Sequence, residues 1–390
     1  MPDRTFVLEG GRVLCPAGFM EDASLLVENG RLSGVGEIPP EDIPPGARRI
    51  DVSGRTVLPG LIDVHVQGAG GSDLLDDDPG AVRTVARRLA TLGTTAFLAT
   101  TVVDTRREDQ PHLERIARHA AGRPDGARIL GVHLEGPFIN TAKKGMIAES
   151  YIGPAGVEWL HRIEDFCGGM LAMMTVAPEV PGALEIIDEL VAEGIIPALG
   201  HTNATLEEAE RGFRHGIHHV THVTNAMRSF HHREPGALGA VLMNEGLTMQ
   251  IITDGVHLHP RVIRWLIRLK GAPRFALITD GIRALGLPPG EYEWTGESRF
   301  RVGRDGAARY HDGTLIGTAL SQLQLCRRAM RLAGLDLPEA IRMASLYPAR
   351  ILGVSDRKGS IQEDKDADLL VCDDDLSPRQ VFVEGREVPL

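Results

Sequence analysis

Two histidines, a glutamate and an aspartate sit at the ends of apolar stretches, where packing alone does not call for them. His133-Leu134-Glu135 closes the run at 127–134, Gly200-His201 the run at 195–200, and Thr221-His222 the run at 217–223. Asp280 closes the run at 275–279. A carboxylate at the end of a buried strand is costly unless it is paired or used. Glu135, His201 and His222 supply one carboxylate and two imidazoles, a donor set that suits Zn²⁺ with a fourth position open to water. Such an ion lowers the pKa of water and polarises a carbonyl. Asp280 is then placed to take the water's proton and return it to a leaving group. Any one of these histidines taken singly reads as a satisfied core residue. The recurrence of ionisable residues at strand ends singles out the set.

The elements that must position them alternate in type. Eight strand-like runs lie at 61–66, 94–100, 127–134, 171–176, 195–200, 217–223, 248–253 and 275–279. Helical patterns lie between most of them. Asp78 is expected to cap a helix carrying Val82, Val85, Ala86, Leu89 and Leu92 on one face. Thr205 with Glu208 predicts a capping box. This alternation predicts an α/β fold, a parallel (β/α)₈ barrel whose chemistry lies at the C-terminal strand ends. A doubly wound sheet is the alternative, but Gly68-Ala69-Gly70-Gly71 is a poor phosphate turn for it.

Before the barrel, Asn29-Gly30 predicts a hairpin turn between two strands. After 280 the alternation breaks, with strands expected at 291–294 and 299–302. Helices resume at 319–334, and another from Asp336 is expected to run to Tyr347. The tail, at 367–372 and 380–385, reads as β again. The expected organisation is a barrel over 57–345 and a small β-sandwich domain built from 1–56 and 346–390.

A formal net charge of −11 argues against general nucleic-acid binding. The four cysteines, Cys15, Cys167, Cys326 and Cys372, are widely spaced and fit a reducing compartment. No apolar run approaches the roughly 20 residues of a membrane span, and Met1-Pro2-Asp3-Arg4 begins no signal pattern. A cytoplasmic location is expected.

Several segments together resemble the amidohydrolase superfamily and, within it, deacetylases of 6-phosphorylated amino sugars. They are Pro59-Gly60-Leu61-Ile62-Asp63-Val64-His65, His133-Leu134-Glu135-Gly136-Pro137-Phe138, Gly200-His201-Thr202, Thr221-His222-Val223-Thr224-Asn225-Ala226-Met227, Arg233-Glu234-Pro235-Gly236, Asp254-Gly255-Val256-His257 and Thr279-Asp280. The resemblance implies deacetylation of N-acetylglucosamine 6-phosphate to glucosamine 6-phosphate and acetate. Water activated at the metal is the implied nucleophile, and Asp280 acts first as base, then as acid. It assigns Asn225, Ala226, Arg233 and His257 to the sugar phosphate, with Met146, Ile147, Leu315, Ile316 and Gly317 around the substrate. It further implies a homodimer in which Arg233 reaches across the interface; read alone, Arg233 is equally a surface residue paired with a neighbour. Lys143-Lys144 matches a basic pair of the family, or is a solvated turn. His231 and His232 read as loop residues, or as added charge at the phosphate beside Arg233, and His215, His218 and His219 as solvent-exposed.

Two positions depart from the family pattern. Two-metal members carry His-x-His on the first strand, whereas here it is His65-x-Gln67. One tightly held zinc per subunit is therefore expected, with any second site at His65 and Gln67 weak. Ile147 stands where the family has a histidine that bonds the substrate near its acetamide, and isoleucine cannot donate. A related amide hydrolase is a second reading, although Met173-Met174-Thr175 on strand four lacks the bridging lysine of that group. A sugar-phosphate binder without catalysis is a third, which a retained Asp280 disfavours.

Overall fold

Strands buried on both faces need side chains that are apolar in both directions, and the runs identified above meet that demand. In the computed structural model, residues 5–122, 125–294 and 299–390 are described. Residues 1–4, including the segment read for a signal, lie outside them, as do 295–298 of the expected excursion. Eight strands form one parallel sheet in sequential order. They are β1 (Leu61–Val66), β2 (Thr94–Thr101), β3 (Arg128–Glu135), β4 (Leu171–Val176), β5 (Ile196–Leu199), β6 (His219–Val220), β7 (Thr248–Ile251) and β8 (Phe275–Leu277). Ile62, Val64, Leu98, Met173, Ile252 and Ile278 fill the interior, so the barrel is a packed core and not a pore.

The seam between β1 and β8 is closed by individual bonds. Val66 bridges Gly281, and the Asp280 N–H donates to the His65 carbonyl at 3.0 Å. Lower down, the Gln322 amide donates to Ile62 O (2.9 Å) and Leu277 O (3.1 Å) and accepts from the Thr94 hydroxyl at 2.8 Å. A side chain thus does the work of a missing ladder, and its donors and acceptor are satisfied in the core.

The Thr205–Glu208 capping box is present, with both reciprocal bonds formed (3.2 and 2.9 Å). Three local expectations are corrected. Asp78 does not cap the first helix: its carboxylate accepts from Gly80 N at 2.8 Å in a tight turn, and the helix, Ala81–Thr91, starts after Gly80. The helix from Asp336 stops at Met343 and a second, Leu346–Ile351, follows; Ser345 between them has a non-helical backbone (φ −138°, ψ −76°). The sixth run yields a ladder of two residues, because the backbone turns at His222 and Thr224, both with positive φ.

Both chain ends meet in a second sheet of eight strands, in which Thr56–Pro59 pairs with Leu369–Cys372. The Asn29-Gly30 turn joins Gly18–Glu28 to Arg31–Gly36. Phe6 and Phe382 stack at 4.8 Å although two strands lie between theirs, so the sheet curls over its own core. Beneath it Lys358, its side chain 1% exposed, bonds Asp366 and Asp368 at 2.9 and 2.8 Å. Lys358→Met should destabilise the fold by about 3–5 kcal/mol, because Asp368 is left buried without its cation and Asp366 keeps only Arg31 and Arg357, at 4.0 and 3.8 Å. Denaturant unfolding checks this; a loss below about 1 kcal/mol would mean that water reaches the pair.

The residues at 281–318 leave the barrel as a four-stranded antiparallel sheet, Gly290–Glu293, Arg299–Val302, Ala307–Arg309 and Leu315–Thr318. Its last strand returns to the barrel mouth, where Thr318 N donates to Asp280 O at 3.0 Å. No helix among the described residues is long and apolar enough to cross a membrane.

Candidate metal centre and active site

Parallel strands bring their C-terminal ends to one face, so residues far apart in sequence converge. Glu135 Oε1 lies 3.0 Å from both His201 Nε2 and His222 Nε2, which are 3.0 Å from each other. All three residues are buried. His201 Nδ1 donates to the Lys143 carbonyl at 2.8 Å, which leaves Nε2 with its lone pair toward the centre. Lone pairs from two rings and a carboxylate aimed at one point repel unless a cation lies among them, so the donor set fits a divalent metal ion. It is the group of metal-ligating side chains found among the described residues. Burial pushes the Glu135 carboxyl up, but His65, His201 and His222 outweigh it and hold the pKa well below the usual range. Glu135 is an anion ready to bind a cation.

His201, His222 and Asp280 all have positive φ (48°, 24° and 47°), as does Ala226 (51°). Non-glycine residues in that region carry strain, and such strain gathers at functional sites. Here it turns the side chains off the strand ends into the mouth. Gly317 is required beside them: a Cβ there would lie 2.4 Å from the Asp280 carbonyl oxygen.

Asp280 Oδ1 lies 3.3 Å from His65 Nε2, which is 3.4 Å from Glu135 Oε1. Burial lowers the His65 pKa, but the Glu135 and Asp280 carboxylates reverse this and raise it to about 9. The ring is held from behind by Gln250, whose Oε1 accepts from His65 Nδ1 (2.9 Å) and from His222 N (3.2 Å). Gln67 Nε2 donates to Glu135 Oε2 at 3.0 Å. Its amide therefore fixes the second oxygen of the Glu135 carboxylate. His133, which shares the Glu135 strand, is an interior residue: Val64 O and the Thr175 hydroxyl satisfy its two nitrogens (3.2 and 2.9 Å).

A cavity of about 190 Å³ opens over this centre. Its walls include Asn225, Ala226, His257, Met146 and Leu315 to Gly317, together with Glu135, His201, His222 and Asp280. His257 is fixed by Asp254, whose Oδ2 accepts from Nδ1 at 2.6 Å. Burial lowers the His257 pKa, but this carboxylate outweighs it and raises the pKa. Two expected residues are elsewhere. Ile147 lines a neighbouring cavity. Arg233 is exposed, bonds the His232 ring at 2.8 Å and does not line the cavity of its own chain. His219, expected at the surface, is fully buried in β6 with its Nδ1 on the Thr248 hydroxyl at 2.8 Å. Its strand lies inside the barrel, where burial lowers its pKa to about 3.

Residues that sequence reasoning passed over complete the support. Gln250, which lies in no motif, and the backbone carbonyl of Lys143, a residue singled out only for its charge, orient imidazoles. Asp63 was more accessible to prediction, because it lies two residues before His65 on a strand of period two. Its carboxylate accepts from the Thr279 hydroxyl at 2.5 Å and from His65 N at 3.2 Å, linking β1 to the segment that runs from β8 to Asp280. Burial pushes its pKa up to about 7.

Residues 56–388 match the amidohydrolase family. The chain is 35% identical to an N-acetylglucosamine-6-phosphate deacetylase of Bacillus subtilis over 92% of its own length and 91% of that protein. It is 33% identical to an N-acetylgalactosamine-6-phosphate deacetylase of Escherichia coli O157:H7, over 98% and 99%. Among solved structures, it superposes with a TM-score of 0.88 and 30% identity on an N-acetyl-D-glucosamine-6-phosphate deacetylase mutant of Mycobacterium smegmatis in complex with N-acetyl-D-glucosamine-6-phosphate, covering 99% of this chain and 100% of that one.

Proposed function

The chain belongs to the amidohydrolase family, and from that premise we propose that it hydrolyses N-acetylglucosamine 6-phosphate to glucosamine 6-phosphate and acetate. The observation that carries this reading is the convergence of Glu135, His201 and His222 with Asp280 at the mouth of one cavity. A divalent cation held by the three ligands, zinc on the chemistry of the set, supplies Lewis acidity that lowers the pKa of water and polarises the acetamide carbonyl. Asp280 Oδ1 takes the proton from water as the C–O bond forms, then hands it to the nitrogen as the C–N bond breaks. His257, held by Asp254, and Asn225 with the Ala226 backbone offer donors to the sugar. His65 and Gln67 act around this centre as partners of Asp280 and Glu135, which supports one ion per subunit.

The phosphate falls to Arg233 of a second subunit. Arginine offers a forked, permanent charge that suits it, and in its own chain Arg233 stands outside the cavity. Phe230, Met243, Trp265 and Leu269 are each at least half exposed and apolar, and they lie on the Arg233 loop and on the helices Gly236–Met243 and Pro260–Lys270. Exposed apolar side chains of this size are the kind that a second copy covers. Four buried free cysteines accord with the cytoplasm. The test is acetate release from N-acetylglucosamine 6-phosphate by the metal-loaded protein. Activity is expected, and Arg233→Gln should raise KM at least tenfold while leaving kcat within about threefold. No acetate from any N-acetylhexosamine 6-phosphate would sink the reading. The galacto epimer is a second reading, favoured by the Escherichia coli relative; the ratio of kcat/KM values on the two sugars decides it.

A further inference from the structure

A second cavity, of about 200 Å³, opens beside the first. The two share Gln67, Glu135 and Met146 as walls. Glu135 belongs to the metal-ligating set, so a carbonyl reacting there sits at the junction of the two spaces. Their chemistry differs. The first presents Asn225, His257 and Asp280, donors and acceptors for a hydroxylated ring. The second is walled largely by Met146, Ile147, Tyr151, Trp294 and Tyr310. Met146, Trp294 and Tyr310 pack on the cluster around Phe300 and Ile316, so this wall is backed by the excursion sheet. Its polar groups are mostly engaged elsewhere. Asp73 accepts from Leu75 N at 3.0 Å, Gln67 bonds Glu135, and the Thr100 hydroxyl accepts from Val66 N at 3.0 Å. Thr101 Oγ1 is the buried side-chain atom on this wall without a partner among the described residues.

We infer that the second cavity is an acyl pocket, and that this protein removes N-acyl groups longer than acetyl from hexosamine 6-phosphates. The inference rests on the deacylase reading above and names its substrate class. With the sugar among the polar groups, the substituent on the carbonyl carbon points past Glu135 and Met146 into the apolar space. A water-sized group takes roughly 30 Å³, so the pocket holds the two extra methylenes of a butyryl group. The reaction balances as for acetyl: the oxygen of water bonds to the acyl carbon, the C–N bond breaks, and the nitrogen gains the proton. The products are glucosamine 6-phosphate and butyrate. Each buried methylene is worth about fourfold in affinity.

The test is calorimetric binding of N-acetyl- and N-butyrylglucosamine 6-phosphate to metal-loaded Asp280→Asn, which binds without rapid turnover. The N-butyryl compound is expected to bind more tightly, by up to about 15-fold. Weaker binding than the N-acetyl compound overturns the pocket, as it would if the sugar ring and not the acyl chain lay against Trp294 and Tyr310. In the otherwise unaltered enzyme, Val102→Phe narrows the pocket and should lower the N-butyryl to N-acetyl ratio of kcat/KM at least tenfold. Leu75→Phe serves the same end should the first variant fold poorly. An unchanged ratio in a folded variant also overturns it. Hydrolysis of the N-acetyl compound by the unaltered enzyme tests the parent reading independently.

Discussion

Asp280→Asn is expected to lower kcat on N-acetylglucosamine 6-phosphate by about 10²–10⁴-fold, the range for a lost general acid–base. The amide keeps the shape of the carboxylate but cannot accept a proton. The position itself is over-determined: the backbone N–H is held by His65 O, the carbonyl by Thr318 N, and φ is 47°. The substitution should therefore leave the loop in place, with KM changed by less than about threefold. Metal content should also be unchanged, because Asp280 stands outside the set of three ligands. Steady-state kinetics with metal analysis on the same sample checks both. Retention of more than a tenth of kcat would remove Asp280 from the proton transfer. Loss of the ion would make it a ligand instead.

The second large effect is on the ion. Glu135→Ala should bring the metal content from about one per chain to near zero and abolish hydrolysis. Glu135 is the anionic member of the triad, and Oε1 is the atom both imidazoles face at 3.0 Å. Two neutral rings left alone in a buried site compensate little of the cost of desolvating a dication. Gln67→Leu should act more gently. It removes the 3.0 Å bond to Glu135 Oε2 and should weaken metal binding by about 10–100-fold, as loss of a partner behind a ligand does. Stoichiometry at saturating metal should stay at one in both the parent and Gln67→Leu. Two ions in the parent falling to one in Gln67→Leu would instead make Gln67 a ligand.

Residue type and strand periodicity were enough to single out Glu135, His201, His222 and Asp280, which the barrel brings to one cavity. Each stands at the end of an apolar run, and parallel strands carry those ends to one face whatever their length. The same logic made the barrel and the joining of both chain ends legible, since alternation and turn chemistry are local. Local chemistry misled where one residue could serve two structures: Asp78 and His219 each had a plausible surface role that neighbouring residues alone could not exclude.

What the chain pattern could not contain was the set of partners set by register between distant strands. Gln67 reads as a substitute metal ligand in sequence, yet its amide meets a carboxylate 68 residues on. Gln322 sits 260 residues from the Ile62 carbonyl it closes on. Ile147 reads as a lost donor beside the acetamide, yet its side chain lines an adjoining apolar space whose far wall comes from the excursion sheet. Which side chains converge follows from residue type at a strand end. The orientation of each ligand and the shape of the space beside it follow from contacts between segments that only the closed barrel brings together.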